Sequence, residues 1–322
     1  MLNIMIRLHI LIFALLVFAT CSQPTEPVWQ PEQKELAGPL NFLSSPLLEG
    51  REAGERGSLI AAEYIASIME QIGLEPAGDI REGTADWFQD FEAVWKGKAG
   101  ISEEKTILVR NVLGMIRGKD TTKFVVIAAH YDHLGIRKGT IYPGADDNAS
   151  GVSGMLALAK HQLSKGERLP CTLIFAAWSA EEKGHLGSKY FVRNFALGKE
   201  AFLLNINFDM ISRSDPEDTL GNTLYIGTRI EHSHLREMIE NCNTASGANF
   251  LFDYWDTDED GGSDYASFAE LGIPVIAFYS GTNADYHASG DTREKIDWTK
   301  MIRILKLANS CLEGFLSKVK SL

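Results

Sequence analysis

The sequence predicts an α/β fold, in which a mostly parallel, mixed central sheet is flanked by helices on both faces. Strand-like runs occur at WFQDFEAVW, NVLGMIRG, KFVVIAAH, CTLIFAAW, AFLLNINFD and PVIAFYS. Runs that are apolar on both faces, separated by helical patterns such as GVSGMLALAKHQL and SHLREMIENC, are typical of a parallel sheet covered on both sides. The composition, with 45% hydrophobic and 23% charged residues, is that of an ordinary globular protein.

The first twenty residues have the pattern of an export signal. Arg7 precedes an apolar run from Ile10 to Ala19, which is too short to span a bilayer but suits the core of a signal peptide. The alternative is a buried amino-terminal helix. The letters FATC resemble a bacterial lipoprotein processing box, although Thr20 departs from the small residue usual before the cysteine. We therefore expect a signal peptide over residues 1–20, lipidation of Cys21, and an exported protein that is periplasmic, attached to the outer membrane or secreted.

A short tether and one folded domain are expected after the signal. Residues 21–34 are rich in proline and lack periodicity, which indicates a tether between a lipid anchor and the folded body. No repeat or linker interrupts residues 35–322, so a single catalytic domain is predicted there. The remaining cysteines, Cys171, Cys242 and Cys311, are odd in number and widely spaced, which favours buried free thiols over a disulfide framework.

Two helices can be placed from apolar spacing. Between Gly57 and Gly73 the apolar residues recur every three or four positions, which predicts an amphipathic helix that packs on the sheet and ends at Gly73. The stretch from Trp298 to Lys318 predicts a terminal helix.

The charge balance excludes one class of partner. The chain has 43 acidic and 31 basic residues and a net charge of -12. An acidic protein repels phosphate backbones, so nucleic acid is not expected to bind.

Polar side chains follow several of the predicted strands, where open α/β sheets bind their ligands. The residues at these positions are His130, Asp132, Glu181, Glu182, Asp209 and His287, joined by Asp146 and Asp147 in the turn YPGADDNASG. A single residue of this kind is more often a structural polar group. Histidines and carboxylates from several consecutive elements instead have the composition of a transition-metal site.

Two spacings within this set suggest specific roles. Glu181 and Glu182 repel each other unless a cation lies between them, so one can bind metal while the other moves protons. His130 and Asp132 suit a metal ligand and a carboxylate that orients its imidazole.

Seven stretches resemble, in order, a known protein family. They are AAHYDHLG, YPGADDNASG, AAWSAEEKGHLGS, NFDM, GGSDYASF, GIPVIAFYSG and DYHASGDT. The family is the zinc-dependent exopeptidases of the bacterial leucyl aminopeptidase type, which also contains glutamate carboxypeptidases and glutaminyl cyclases. The resemblance covers nearly all of residues 40–300 and implies the zinc-exopeptidase (phosphorylase/hydrolase-like) architecture without an inserted accessory domain.

The resemblance implies a centre with two zinc ions. His130 and Asp209 would bind one ion, Glu182 and His287 the other, and Asp147 would bridge them, with Asp146 as its unligated neighbour. Glu181 would be the catalytic base that activates a metal-bridging water, and Asp132 would orient His130. Substrates would be peptides with a free amino terminus.

Four further residues near these motifs are expected to have no such role. Tyr265 occupies a position where the family often has histidine. Lys183 is expected to be solvated in its loop, and His133 and His185 to be ordinary loop histidines. Residues that line the substrate pocket are expected from loops such as residues 244–262 and 280–286.

Three functions remain open at this point. The first is an exported dizinc aminopeptidase. The second is a glutaminyl-peptide cyclotransferase that works with one zinc, and the third is a non-catalytic binding homologue. The filled catalytic positions argue against the third, and the forms of AAHYDHLG and YPGADDNASG favour the peptidase over the cyclotransferase.

Overall fold

The computed structural model describes residues 28–95, 104–258 and 261–320. The predicted signal peptide, Cys21 and the first part of the predicted tether lie outside the described residues. No helix in the described ranges combines the length and the apolar content needed to cross a membrane.

Thirteen strands and seven α-helices are found in the described ranges. The strands are β1 (Glu75–Pro76), β2 (Ile80–Arg81), β3 (Thr84–Ala85), β4 (Phe88–Trp95), β5 (Lys105–Ile116), β6 (Asp120–His130), β7 (Gly135–Arg137), β8 (Thr140–Tyr142), β9 (Cys171–Trp178), β10 (Phe202–Phe208), β11 (Thr223–Thr228), β12 (Leu251–Asp256) and β13 (Val275–Tyr279). The helices are α1 (Gln33–Leu43), α2 (Arg56–Ile72), α3 (Gly151–Ser164), α4 (Leu186–Asn194), α5 (Ser233–Ala245), α6 (Tyr265–Ala269) and α7 (Trp298–Lys320).

The central sheet has nine strands in the order β1-β5-β9-β6-β10-β13-β11-β12, and β4 pairs with β5 outside this path. Its middle, from β9 through β6 and β10 to β13, is parallel. The strands β1, β4 and β5 add antiparallel pairs on one side, and β11 is antiparallel to β13 on the other. The predicted mixed sheet is therefore confirmed.

Helices cover both faces of this sheet, as predicted. Successive residues of β6 alternate between two cores: Val125 and Ile127 contact the core formed with α1, α2, α3, α5 and α7, whereas Val126 and Ala128 contact the core formed with α4 and α6. All four side chains are fully buried. This double burial explains why β6 is apolar at every position from Phe124 to Ala129.

The amphipathic helix α2 ends at Gly73, whose φ of 94° is in the left-handed region that favours glycine. Its buried stripe includes Ala61, Ile65 and Met69, while Ile60 is 37% exposed. Small alanines such as Ala61 therefore form part of the face that packs on the sheet.

The tether prediction is wrong at its carboxyl-terminal end. The ring of Trp29 stacks on His161 with centroids 4.7 Å apart, and α1 begins at Gln33. Glu32 and Glu35 form a capping box at the start of α1. The folded body therefore includes residues from Trp29 onward.

The described cysteines are free thiols, as predicted. Cys171 and Cys311 are buried, and Cys242 is partly exposed.

Candidate metal centre

The carboxyl ends of parallel strands bring the first group of candidate ligands together. His130 is the last residue of β6, and Asp209 directly follows β10. The Nε2 atom of His130 lies 3.3 Å from Oδ1 of Asp209 and 3.4 Å from Oδ1 of Asp147. Burial lowers the pKa of His130, but the carboxylates of Asp209 and Glu181 outweigh it and raise that pKa well above its usual value. The electrostatic environment therefore favours a cation here.

A second group lies on the other side of Asp147. The Nε2 atom of His287 is 3.2 Å from Oδ2 of Asp147 and 3.4 Å from Oε2 of Glu182. Burial lowers the pKa of His287, but hydrogen bonds to these two carboxylates raise it to about 10. The two oxygens of Asp147 thus face different sets of nitrogen and oxygen atoms.

His133 belongs to this second group, contrary to the expectation of an ordinary loop histidine. Its Nδ1 atom is 2.9 Å from Oε1 of Glu182 and 3.7 Å from Oδ2 of Asp147. Both ring nitrogens of His133 and Oε1 of Glu182 are buried without a hydrogen-bond partner among the described residues. Buried polar atoms normally have hydrogen-bond partners. Nitrogen and oxygen atoms that lie close together without hydrogen bonding to one another are therefore suited to bind a cation. The available signal was the place of His133, three residues after His130 in AAHYDHLG.

Two triads of ligand atoms satisfy the distances needed to hold an ion. One comprises His130, Asp147 and Asp209, and the other His133, Asp147 and Glu182, with all ligand atoms of each triad within 4.8 Å of one another. Imidazole nitrogen and carboxylate oxygen are ligands that zinc accepts. The donor set therefore fits zinc, and Asp147 is common to both triads.

The turn before α3 directs Asp147 toward the centre and Asp146 away from it. Asp146 accepts hydrogen bonds from Ser212 at 2.9 Å (backbone nitrogen) and 2.6 Å (hydroxyl), and from Nδ2 of Asn283 at 2.9 Å. Asp291 accepts the backbone N–H groups of both Asp146 and Asp147 at 3.0 Å. The peptide bond between Asp147 and Asn148 is cis. Sequence reasoning missed Asp291, since nothing in DYHASGDT shows which distant amides it meets.

Arg51 is a second residue that sequence reasoning missed. It is completely buried and donates to the carbonyl oxygens of Tyr131 at 2.7 Å, Leu43 at 2.5 Å, Pro143 at 2.5 Å and Gly144 at 3.0 Å. These carbonyls belong to α1, to the segment after β6 and to the turn that precedes Asp147. Arg51 therefore joins the two segments that carry His130 and Asp147.

Glu181 and Asp132 lie beside the first group. The backbone N–H of Glu181 donates to Oδ1 of Asp132 at 3.1 Å. Nδ1 of His130 is 3.2 Å from the backbone carbonyl of Asp132 and 3.9 Å from its carboxylate. Burial raises the pKa of Asp132 to about 6. Burial, together with Asp209 and Asp264, raises the pKa of Glu181 well above its usual value although His130 lowers it.

The loop between β9 and α4 is more ordered than its polar sequence suggested. Lys183 was expected to be solvated, yet its side chain is only 5% exposed. Its Nζ atom lies 2.8 Å from Oε1 of Glu52 and 4.0 Å from the centre of the Trp95 ring. The stem and charge of Lys183 therefore attach the loop of Glu181 and Glu182 to β4 and to the segment before α2.

A cavity of about 600 Å³ opens onto the centre, and Glu181 lines it together with His130, Asp147, Glu182, Asp209 and His287. Its walls are largely aromatic and include Tyr225, Trp255, Tyr265, Phe278, Tyr279 and Tyr286. Trp255 and Tyr286 come from the two stretches expected to supply pocket residues. The hydroxyl of Tyr265 accepts a hydrogen bond from Nε1 of Trp255 at 3.2 Å. A cleft with apolar walls and a polar end is a typical small-ligand site.

Comparisons with known proteins agree with this architecture. The family model described as "Peptidase family M28" matches residues 111–311. "Aminopeptidase YwaD" of Bacillus subtilis is 27% identical over 259 residues, which are 78% of this chain and 53% of that protein. "Probable lipoprotein aminopeptidase LpqL" of Mycobacterium tuberculosis is 28% identical and "Leupeptin-inactivating enzyme 1" of Streptomyces exfoliatus is 30% identical, over 60% and 58% of this chain. The matches span 42% and 38% of those two relatives, so the chain spans about half or less of the length of these three curated relatives.

Solved structures show the same fold. The zinc aminopeptidase BSAP of Bacillus subtilis matches with a TM-score of 0.68 and 19% identity, over 88% of this chain and 95% of that one. The glutaminyl cyclase of Porphyromonas gingivalis matches with a TM-score of 0.66 and 17% identity, over 86% of this chain and 97% of that one. At these identities the likeness establishes the fold alone.

Proposed function

The chain belongs to peptidase family M28, and from this premise we propose that it is an exported dizinc aminopeptidase that removes amino-terminal residues from peptides. The observation that carries the proposal is the position of Asp147. Its Oδ1 atom faces His130, and its Oδ2 atom faces His287. A carboxylate placed in this way suits a bridge between two ions.

The proposed ligands form two sets, which correspond to the two groups of neighbouring side chains around Asp147. His130 and Asp209 would hold one zinc ion, Glu182 and His287 the other, and Asp147 would contact both. His133 would support the second ion through its contact with Glu182. Bound zinc would supply Lewis acidity, which lowers the pKa of a water and polarises the scissile carbonyl.

Glu181 is proposed as the general base. It lines the cavity together with members of both candidate groups, and its pKa is raised above that of an ordinary carboxylate, which favours a group that accepts a proton and returns it. Glu181 would take a proton from the attacking water and deliver it to the departing amine. The products are a free amino acid and a peptide shortened by one residue.

Asp132 is proposed to orient His130. Its backbone carbonyl already accepts from Nδ1 of the imidazole, and its buried carboxylate lies nearby. A proton on Nδ1, donated to this carbonyl, would direct Nε2 of His130 toward Asp209 and Asp147 and leave Nε2 available to bind zinc.

The substrate is proposed to be a peptide with a free amino terminus. The cavity end is lined by carboxylates, which favour a cationic or metal-binding amine, and its aromatic walls accept an apolar side chain. Hydrolysis of leucine p-nitroanilide without hydrolysis of its N-acetyl derivative tests this assignment. Equal hydrolysis of both compounds, or cyclisation of glutaminyl peptides with no amino acid release, would contradict it.

Export and lipidation at Cys21 complete the proposal. A relative is named as a probable lipoprotein aminopeptidase. The apolar run that precedes Cys21 supports export and lipid attachment of this chain as well. Cell fractionation of the full chain and of a Cys21→Ser variant tests it. We expect the full chain in the membrane fraction and the variant outside it, and equal distribution of the two would contradict lipidation.

A further inference from the structure

His185 lies beside the proposed base, whereas the sequence predicted an ordinary loop histidine. Its Nε2 atom is 3.2 Å from Oε1 of Glu181, and the two side chains are only 15% and 11% exposed. Both residues line the cavity. Within the described part of the chain, no other lysine, arginine or histidine nitrogen lies within 4 Å of the Glu181 carboxylate.

The backbone of the turn holds these two residues together. The N–H groups of Gly184 and His185 both donate to the carbonyl of Glu181, at 2.8 and 2.9 Å, and Leu186 donates to Ala180 at 3.0 Å. His185 is the N-cap residue that precedes α4, and its φ of 60° lies in the left-handed region where glycine is most easily accommodated. A bulky residue retained in such a conformation next to a reactive group points to a use for its side chain.

The surroundings of His185 favour its neutral imidazole. Burial, together with the positive charges of Lys189 and His130, lowers the pKa of His185 to about 4. A neutral imidazole carries one N–H, which can donate to a carboxylate, and it brings no positive charge. It can therefore orient Glu181 without suppressing its basicity as an ammonium or guanidinium group would.

We propose that His185 is a positioning residue for Glu181. The Nε2–H group of His185 donates to Oε1 of Glu181 and leaves the other carboxylate oxygen of Glu181 available for proton transfer. This inference rests on the proposed peptidase function, in which Glu181 moves the proton. Contacts around a base often tighten only when substrate binds, so a small rotation of either side chain from the 3.2 Å approach completes the hydrogen bond.

Two substitutions of His185 separate positioning from mere packing. In His185→Leu the donor is lost, whereas in His185→Gln the side-chain amide can still donate to Glu181. Both new residues meet the same left-handed backbone. We expect kcat for leucine p-nitroanilide to fall about ten- to a hundredfold in His185→Leu, with KM within about twofold. His185→Gln should recover most of kcat, and zinc content should be unchanged in both.

His234→Leu provides the matched control, because His234 is an exposed histidine on α5 and does not line the cavity. It should leave kcat unchanged. The proposal is overturned when His185→Leu retains the kcat of the unmodified enzyme, or when His185→Gln is as slow as His185→Leu.

A second readout does not depend on activity. Nitrogen-15 NMR of the zinc-loaded full chain assigns the tautomer of His185, and we expect the proton on Nε2. A proton on Nδ1 alone would contradict the contact with Glu181. If the unmodified enzyme hydrolyses no peptide, the proposed function fails, while the tautomer still decides whether His185 donates to Glu181.

Discussion

Arg51 offers a quantitative test of how the centre is held in place. Arg51→Met keeps a long apolar stem but removes every donor that now reaches the carbonyls of Leu43, Tyr131, Pro143 and Gly144. The carbonyl of Gly144 also accepts a hydrogen bond from the N–H of Ala149. The substitution therefore costs most at the other three carbonyl oxygens. A buried acceptor left without a partner costs about 1–3 kcal/mol. Part of this loss of stability is offset because the variant no longer has to bury a charged guanidinium group. We therefore expect the free energy of unfolding to fall by about 3–5 kcal/mol.

Urea denaturation followed by tryptophan fluorescence, with linear extrapolation to water, measures this change. The stability of Arg51→Lys should lie between those of the unmodified protein and Arg51→Met, because one ammonium group cannot reach all four carbonyls. Arg293→Met is the control: Arg293 is half-exposed and, among the described residues, its side chain pairs with the adjacent Glu294 alone, so a change below about 0.5 kcal/mol is expected. A loss below about 1 kcal/mol in Arg51→Met would refute the view that this guanidinium holds the two ligand-bearing segments together.

Three further predictions follow from the site and its surroundings. Glu181→Gln should abolish turnover while zinc content, measured by mass spectrometry, stays normal; turnover at the unmodified rate would exclude Glu181 as the base. Asp147→Ala should lose zinc, whereas Asp146→Ala should mainly destabilise the fold because Ser212 and Asn283 lose their acceptor; full zinc occupancy in Asp147→Ala would show that the wrong aspartate was chosen. Burial raises the pKa of Glu313, but hydrogen bonds from His161 and Lys165 outweigh it and lower that pKa to about 2. The stability that Glu313 contributes is therefore present above pH 4.5 and is lost as the pH falls toward 2. Glu313→Gln should destabilise the protein by less than about 1 kcal/mol at pH 7, because the side chain is partly exposed, and by nothing near pH 2; an equal difference at both pH values would contradict this.

The parts of the fold that are predictable from sequence are those that depend on local patterns. The strand β6 is buried on both faces, so its apolar run identifies it, and the polar residue that ends it marks the edge where ligands gather. The strands β11 and β12 were not predicted. In β12, Asp253 and Asp256 interrupt the apolar run, and none of the six residues is fully buried. Its identity as a strand comes from pairing with β11, which no local pattern shows.

The candidate site divides in the same way. His130 ends β6, Asp209 directly follows β10, and Glu182 lies four residues after the end of β9, so their proximity follows from parallel topology. Arg51 and Asp291 instead act on backbone groups 93 and 144 positions away in sequence. Contacts of this range depend on how the turn before α3 packs against its neighbours. That packing cannot be predicted from a single sequence, and for the same reason the burial of His133 was not predicted.

Zinc stoichiometry measured together with activity tests the central claim most directly. The metal-free protein is titrated with zinc, bound metal is counted by mass spectrometry, and hydrolysis of leucine p-nitroanilide is followed at each point. The structure, in which Asp147 lies between two sets of ligand atoms, predicts two zinc ions per chain at full activity. Saturation at one zinc per chain, with cyclisation of glutaminyl peptides in place of amino acid release, would contradict it.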